Sequence, residues 1–525
     1  MSNQTQKFVK GALILSVAGL LAKVLSASFR VPLTALIGDE GLGYYGLAYP
    51  IYTLFTAIAI VGIPSAIAKL VAEKRVHGKD GEAHQIFTHT FKLMFIIGII
   101  MSAVVALGAP LLVKGLNWEP GAIYSVWGLS LSPLFVCIMG VYRGYFQGMQ
   151  DMVPTAISQV VENAGRFLVG LTLAVFFMPD VAKAAGGASF GAVAGGVFGS
   201  LILMIMYMRR RPKIMEQVEK TKKDSTLLPF KATAKTVLWI AIPISIGAAV
   251  NSIITMIDSG LVVMRLRDLG VGAETATQLY GQLTKVATFI NFPLTFGMAL
   301  IIGLVPSISE AMARNDKKEL FDKIELGTRF ALLISLPASI GLAVLANPIM
   351  TFIYPTYPDG GEVLAVAAFS IVFVMLGQAL TGILQGMGKV WAPVYAIMGA
   401  AVVKFIGNYM LIATSLGVTG AAIASIAGYG VYTLINYVIV KRTTGFKLNI
   451  MFVVIKPLMA SLIMGVAAYG TSNILSGMLD MSSKTNNAIM TLGSVLAGAA
   501  VYIAVLVVSG GVSKEDIAHI KNRKS

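Results

Sequence analysis

Charged side chains are scarce in this sequence. Only 13% of its 525 residues are Asp, Glu, Lys or Arg, and 56% are hydrophobic, whereas a soluble domain usually carries about 25% charged residues. The shortage excludes an ordinary soluble globular protein, because most of the chain has to avoid water. The apolar residues form long runs, each near the ~20 residues that a helix needs to cross about 30 Å of hydrocarbon.

Cysteine, histidine and catalytic motifs are scarce as well. The single cysteine, Cys137, lies in an apolar run, which excludes a disulfide framework and a cysteine metal site. The four histidines stand in polar segments without the spacing of zinc ligands. Neither GxxxxGK[ST] nor HExxH occurs. We therefore expect no cofactor and no bond-breaking enzyme, and a transporter would draw on an H⁺ or Na⁺ gradient or on the membrane potential.

About fourteen apolar runs predict an all-α multi-pass membrane protein. We interpret the first run as a retained helix rather than a cleaved leader, because further spans follow it. The predicted spans cover about 9–37, 44–72, 87–113, 122–147, 153–178, 187–208, 236–264, 277–309, 324–350, 362–387, 392–415, 418–440, 451–476 and 487–510. The predicted divisions are an N-lobe (1–208), a basic linker (209–235), a C-lobe (236–442) and two last helices with a basic tail (443–525).

The Lys and Arg residues of the predicted loops indicate the orientation. With the N-terminus inside, the inside segments hold roughly 26 of them and the outside loops about 4 or 5. This asymmetry predicts that both termini are cytoplasmic. It also accounts for the formal net charge of +16 without nucleic-acid binding.

Two parts of the chain repeat one another. RGYFQGMQDMVPTA begins at Arg143 and TGILQGMGKVWAPVYA begins at Thr381, while Pro64-Ser65 corresponds to Pro306-Ser307. Each repeat contains six helices, an even number, so both halves enter the membrane from the same side. The repeat predicts two six-helix lobes related by a parallel pseudo-two-fold axis. Because this two-fold arrangement is internal, we expect a monomer.

Several ionisable residues fall inside the predicted spans, where each costs about 2.5–3.5 kcal/mol on insertion scales. The cations outnumber the anions, which predicts a cavity that attracts anions, and Arg and Lys are the usual donors to phosphate oxygens. The cations are Lys23, Arg30, Arg143, Arg166, Arg265, Lys285 and Lys404, and the anions are Glu162 and Asp258. Two neutral polar residues, Gln147 and Asn251, lie on the same helical faces as charged ones.

Structural explanations compete with substrate binding at some of these positions. Arg143 and Arg265 lie near span ends, from which a long side chain can reach the interface. Glu162 and Arg166 are one helical turn apart and can form a simple bridge. Four deeper residues have no opposite charge three or four positions away, which favours solvation in a central cavity: Lys23, Asp258, Lys285 and Lys404. The four-residue glycine spacing from Gly187 to Gly199 favours close, static helix packing.

Three segments of the chain resemble the YtgP/SpoVB family of polysaccharide-biosynthesis membrane proteins. They are RGYFQGMQDMVPTAISQVVE from Arg143, NSIITMIDSGLV from Asn251 and YGQLTKVATFINFPLTF from Tyr280. This family belongs to the multidrug/oligosaccharidyl-lipid/polysaccharide exporter superfamily, which includes MurJ-like lipid II flippases. The resemblance implies a plan of six, six and two helices in a bacterial cytoplasmic membrane. It also implies transport of undecaprenyl-pyrophosphate-linked sugars, lipid II above all, from the inner to the outer leaflet by alternating access.

The resemblance implies roles for the charged residues as well. A cationic cavity would hold the pyrophosphate, and the lipid tail would lie along helices 13 and 14. Lys23 matches the first basic position of the family's helix 1, whereas Val31 replaces the acidic residue that follows the second. The expected substrate-binding set is Lys23, Arg30, Lys285, Asp258, Asn251 and Lys404. The expected gating or salt-bridge set is Arg143, Gln147, Glu162, Arg166 and Arg265.

Three other functions stay open beside lipid II transport. A flippase for another lipid-linked polysaccharide, such as a teichoic-acid, capsule or spore-cortex precursor, would have the same cavity charge. A MATE-type cation or drug antiporter would need cavity carboxylates, which this chain mostly lacks. A non-transporting scaffold would act through its surface. Beside the glycolipid we expect membrane lipids and cell-wall synthesis enzymes as partners.

The lone cysteine permits a direct test of the predicted orientation. In a Cys137→Ala background, cysteines placed at Lys114 and Lys183 should react with a membrane-impermeant maleimide in intact cells, because both lie in predicted outside loops. Cysteines at Lys213 and Lys317 should react only after the cells are permeabilised. The measurement is the mass shift of the labelled protein on a gel, and the reverse pattern would contradict the orientation.

Overall fold

The computed structural model describes residues 3–221, 226–480 and 483–510, which form helices and short connections without a β-strand. Two π-helical segments, Ile58–Gly62 and Met451–Ile455, lead into α2 and α16. The helices of these ranges are α1 (Asn3–Ala57), α2 (Ile63–Val76), α3 (Asp80–Gly115), α4 (Ala122–Leu129), α5 (Ser132–Gly148), α6 (Val153–Phe177), α7 (Val181–Lys220), α8 (Phe230–Asp268), α9 (Ala273–Ala313), α10 (Lys317–Val344), α11 (Ala346–Ile353), α12 (Gly361–Ala367), α13 (Ser370–Gly386), α14 (Ala392–Leu411), α15 (Val418–Thr444), α16 (Lys456–Met478) and α17 (Lys484–Val508).

Each predicted span coincides with one of these helices or with consecutive pieces of helix. Eleven helical stretches among the described residues are long and apolar enough to cross a membrane, by length and composition. The first two predicted spans count there as a single stretch, and α8 and α9, at the seventh and eighth spans, are not among the eleven. The predicted all-α fold of a multi-pass membrane protein is confirmed.

The first two predicted spans are joined by a kink rather than by a loop. The helical backbone of α1 breaks at Gly38, which has a φ of 65° and a ψ of −168°. Glycine adopts this positive φ at little cost, whereas a side chain there would be strained. Beyond the kink Asp39 is buried, and the Tyr44 hydroxyl donates to the Glu40 carboxylate at 2.9 Å. Both carboxylates therefore belong to the helical part of α1 that follows the kink.

The chain forms two compact units, Met1–Gly281 and Gln282–Ser525. Their boundary falls inside α9. The predicted lobes are defined by the sequence repeat and end elsewhere, so their limits stay a prediction.

Within the first unit, the connections meet at the ends that the predicted topology requires. Thr226, which follows the sixth span, donates from its hydroxyl to the buried carboxylate of Glu82, which follows the second, at 3.0 Å. Arg267, which follows the seventh span, donates to the carbonyl of Asn117, which follows the third, at 2.6 Å. Segments assigned to the same side of the membrane thus lie at the same end of this unit.

The repeated sequences make similar contacts in the two units. In the first unit α5 packs on α2, and a Cβ at Gly148 would lie 2.7 Å from the Cβ of Val71. In the second unit α13 packs on α9, and a Cβ at Gly386 would lie 2.7 Å from the Cβ of Ile308. Glycine therefore permits a close approach of the corresponding helix pair in each repeat.

The glycine stripe of α7 packs closely on α6. A Cβ at Gly195 would lie 2.3 Å from the carbonyl oxygen of Glu162, and one at Gly191 would lie 2.7 Å from that of Arg166. Backbones can approach so closely only where the intervening side chain is a hydrogen atom. The close packing expected of the stripe is confirmed, and the stripe faces the part of α6 that carries two predicted site residues.

We predict that Gly195→Ala lowers the melting temperature of the purified protein in detergent. The added methyl group overpacks the contact between α6 and α7, a change that costs about 1–3 kcal/mol. Gly108→Ala in α3 is the matched control, because a Cβ there would meet no atom within 4 Å. Scanning fluorimetry measures both variants, and equal melting temperatures would contradict the tight packing of the stripe.

Candidate functional site

A buried ion pair joins α5 to α6. The Nη2 of Arg143 lies 2.9 Å from the Oε2 of Glu162, and its Nε donates to the Ser158 hydroxyl at 2.9 Å. Arg143 and Ser158 stand at similar distances from the turn between the two helices, so the chain reversal brings them side by side. Arg143 is only 1% exposed, so its side chain does not reach the membrane interface. The interpretation of Arg143 as a span-end residue that reaches the interface is therefore wrong.

Arg166 adds a second cation to the same carboxylate. Its Nη2 lies 3.7 Å from the Oε1 of Glu162, one helical turn away, as the predicted bridge requires. Its guanidinium also lies 4.6 Å from the ring centroid of Tyr52 and donates to that hydroxyl. A further bond of 3.4 Å runs from its Nη1 to the hydroxyl of Tyr49. Two buried arginines thus share one carboxylate, which leaves one positive charge in excess.

Three tyrosines of α1 extend this network towards Arg30. Tyr45, Tyr49 and Tyr52 lie on one face of the helix, and their neighbouring ring centroids are 5.2 and 5.6 Å apart. The guanidinium of Arg30 lies 5.4 Å from the centroid of Tyr49. Tyr45 and Tyr52 are buried, whereas Tyr49 and Arg30 are half-buried. The network therefore runs from a buried ion pair to a partly accessible arginine.

The contact between Arg30 and Tyr49 depends on the kink at Gly38. In a straight α-helix, two residues as far apart in the sequence as Arg30 and Tyr49 would lie about 28 Å apart in space. Because α1 turns at Gly38, its two halves bring these residues together.

Asp258 of α8 belongs to the same unit. Asp258 and Arg30 both lie near Tyr280 of α9. Arg265, near the end of α8, lies 3.9 Å from Asp268, and its side chain is 20% exposed. The structure thus brings Asp258 and Arg30 close to one tyrosine. Arg265 lies at a helix end, from which its long side chain can reach the membrane interface.

Lys285 and Lys404 lie in the second unit and are fully buried. The Nζ of Lys285 donates to the Tyr357 carbonyl at 2.8 Å and lies 5.6 Å from the ring centroid of Tyr354. The Nζ of Lys404 donates to the Ser425 hydroxyl. The sequence argument expected solvation of both lysines, because neither has an opposite charge one turn away. Other segments of the fold supply their partners instead, and their part in substrate binding stays a prediction.

The other predicted site residues are Gln147, Lys23 and Asn251. The Nε2 of Gln147 donates to the Thr155 hydroxyl at 3.4 Å, a further link between α5 and α6. Lys23 and Asn251 lie outside the residues whose side chains are described, and their roles stay predictions. Among the described residues, no group of three or more His, Cys, Asp or Glu side chains could hold a metal ion.

Sequence reasoning missed the tyrosines of α1. The signal was present, because YYGLAYPIY places aromatic residues at helical spacing directly after a glycine-rich turn. Such spacing is typical of an ordinary packed face. Tyrosine differs from phenylalanine in carrying a hydroxyl, which needs a partner when buried. Only the folded chain identifies that partner as Arg166.

Curated relatives match this chain along almost its full length. It is 27% identical to stage V sporulation protein B of Bacillus subtilis, with 98% of both chains covered. It is 26% identical to the lipid II flippase MurJ of the same organism, with 95% of both chains covered.

Solved transporter structures share the fold. The lipid II flippase MurJ in an inward closed conformation matches with a TM-score of 0.72 at 17% identity, over 94% of this chain and 98% of that one. An inward-facing multidrug resistance MATE family transporter of the MOP superfamily matches with a TM-score of 0.68 at 15% identity, over 82% and 94%.

Two family models match the sequence. The MatE model matches residues 243–410, and the model described as polysaccharide biosynthesis protein matches residues 8–312. The second match covers more than half of the chain and agrees with the family that the sequence motifs indicated. The chain belongs to the polysaccharide biosynthesis protein family.

Proposed function

We propose that this protein is a flippase for an undecaprenyl-pyrophosphate-linked glycan, lipid II above all. It would move the glycolipid from the inner to the outer leaflet by alternating access and would break no bond. The observation that carries the proposal is the excess of positive charge in the arginine network of the first unit.

The net positive charge of this network suits an anionic substrate. Arg143 and Arg166 share the single carboxylate of Glu162, and Arg30 adds a further cation beside Tyr49. A charge that is only partly compensated in apolar surroundings is costly, and a nearby anion reduces that cost. Arginine binds phosphate oxygens with paired N–H donors. The pyrophosphate group is therefore the part of the glycolipid that this region would attract.

The relatives support a lipid-linked glycan without favouring one glycan. The identities to the lipid II flippase MurJ and to stage V sporulation protein B are nearly equal, at 26% and 27%. Lipid II is our first candidate substrate, and a teichoic-acid, capsule or spore-cortex precursor is the alternative. The likeness to MATE transporters raises cation or drug export as a rival, but a cation site needs surplus carboxylates, and this network has surplus arginines.

We further propose that the bridges of Glu162 open and close as the cavity changes side. An ion gradient or the membrane potential would drive the cycle. The proposed substrate-binding set is Lys23, Arg30, Asn251, Asp258, Lys285 and Lys404. We place the protein in the bacterial cytoplasmic membrane with both termini inside.

Lipid II exposure in cells tests the proposed function. The host flippase is depleted, this protein is expressed, and an added lipid II-cleaving enzyme probes the outer leaflet. We expect the wild type to restore cleavage and the Lys23→Ala, Arg30→Ala double variant to lose it, because the pyrophosphate then lacks its cationic contacts. The measurement is the amount of cleavage product per cell.

Lys220→Ala is the control for this experiment. Its side chain is 70% exposed on α7, where it bridges Glu216, so this variant should restore cleavage like the wild type. If the wild type is well expressed and restores none, lipid II is the wrong substrate and the alternative glycans are tested in the same way. Full restoration by the double variant would reject the cationic cavity.

We predict that Glu162→Gln strongly destabilises the protein. Removing the carboxylate leaves two buried arginines without their counter-charge, and breaking a buried pair in this way costs about 3–5 kcal/mol. Glu216→Gln is the matched control, since it removes a carboxylate from an exposed i,i+4 pair and should leave stability unchanged. Melting temperatures in detergent compare the two, and a Glu162→Gln variant as stable as the control would contradict the buried network.

A further inference from the structure

We propose that Tyr49 is a positioning residue, which holds the guanidinium of Arg30 where it can bind the pyrophosphate of the substrate. This inference rests on the proposed function and adds to it a residue that carries no charge. The ring of Tyr49 contacts Arg30, and its hydroxyl accepts from Arg166. One side chain thus joins the accessible arginine to the buried network.

The position of Tyr49 is itself fixed from two sides. Its ring stacks on Tyr45, with centroids 5.2 Å apart and an interplanar angle of 26°. Its hydroxyl accepts from Arg166, which lies over the Tyr52 ring and beside Glu162. A chain of contacts therefore leads from the buried ion pair to the ring that supports Arg30.

An aromatic partner suits an arginine that must bind an anion. A carboxylate at this position would hold Arg30 equally well, but it would cancel the charge that attracts the pyrophosphate. A tyrosine ring attracts the guanidinium through its quadrupole and adds no negative charge of its own. The ring contact also consumes no N–H donor, and those donors form the paired bonds to phosphate oxygens.

Holding Arg30 in advance lowers the cost of binding. An unrestrained arginine side chain loses rotamer entropy when it is fixed in one geometry. Because the stacked tyrosine already restricts Arg30, less of this cost falls on the binding step. Loss of Tyr49 should therefore weaken pyrophosphate binding through Arg30, without removing a direct contact to the ligand.

The test measures binding of geranylgeranyl pyrophosphate to the full-length protein in detergent, by thermophoresis. We expect Tyr49→Leu to weaken binding about three- to thirty-fold, the range that a lost cation–π contact predicts. Tyr49→Met should do the same and serves as a second variant should the first fold poorly. Tyr49→Phe keeps the ring and should therefore retain most of the wild-type affinity. The control is Tyr469→Leu, at an exposed tyrosine of α16, which should bind like the wild type.

A double-variant cycle separates positioning from a merely structural effect. If Tyr49 acts through Arg30, adding Tyr49→Leu to Arg30→Ala should cause no further loss of affinity. Additive losses, or wild-type binding by both Tyr49→Leu and Tyr49→Met, would overturn the inference while the proposed function stands. Absence of binding by the wild type, or wild-type affinity of Arg30→Ala, would reject the proposed function and the inference with it.

Discussion

A carboxylate that is buried between two guanidinium groups persists only where hydrogen bonds complete its surroundings, because each desolvated ion costs several kcal/mol. Glu162 receives such bonds from Arg143 and from the hydroxyl of Tyr52, at 2.9 and 3.3 Å. The donors come from α5 and α1, while α6 carries the carboxylate. Three helices must therefore keep their register for this charge to stay satisfied, and the glycine stripe of α7 packs closely against α6 at the same level.

The two repeats share similar helix packing but differ in their buried polar residues. Arg143 stands directly before the repeated glycine in the first unit, and Thr381 stands at that place in the second. Thr381 is bonded to Tyr432 and accepts from the Nδ2 of Asn436 at 3.3 Å. A neutral hydrogen-bond network thus replaces the ion network at this position. The helix pairs pack alike in both units, so this packing does not itself require a charge at this site.

Local patterns in the sequence account for most of the fold. Length and hydrophobicity identify most of the membrane-spanning helices, because a helix in lipid must satisfy its backbone internally and present apolar side chains. The repeat is visible from Arg143 and Thr381 onward, and the glycine spacing around Gly195 indicates close packing. The sign of the charge inside the spans is equally a property of composition, so the residue types alone favour an anionic substrate.

The sequence by itself thus determined the helices, the repeat and the surplus of cations within the predicted spans. Only the tertiary structure decided which groups meet. It paired Arg143 with Glu162 on another helix and gave Lys285 a backbone carbonyl as its partner. It also folded α1 at Gly38 so that Arg30 reaches Tyr49. Such pairings depend on kink angles and interhelical packing, which combine contributions from distant segments, whereas hydrophobicity and periodicity describe one segment at a time.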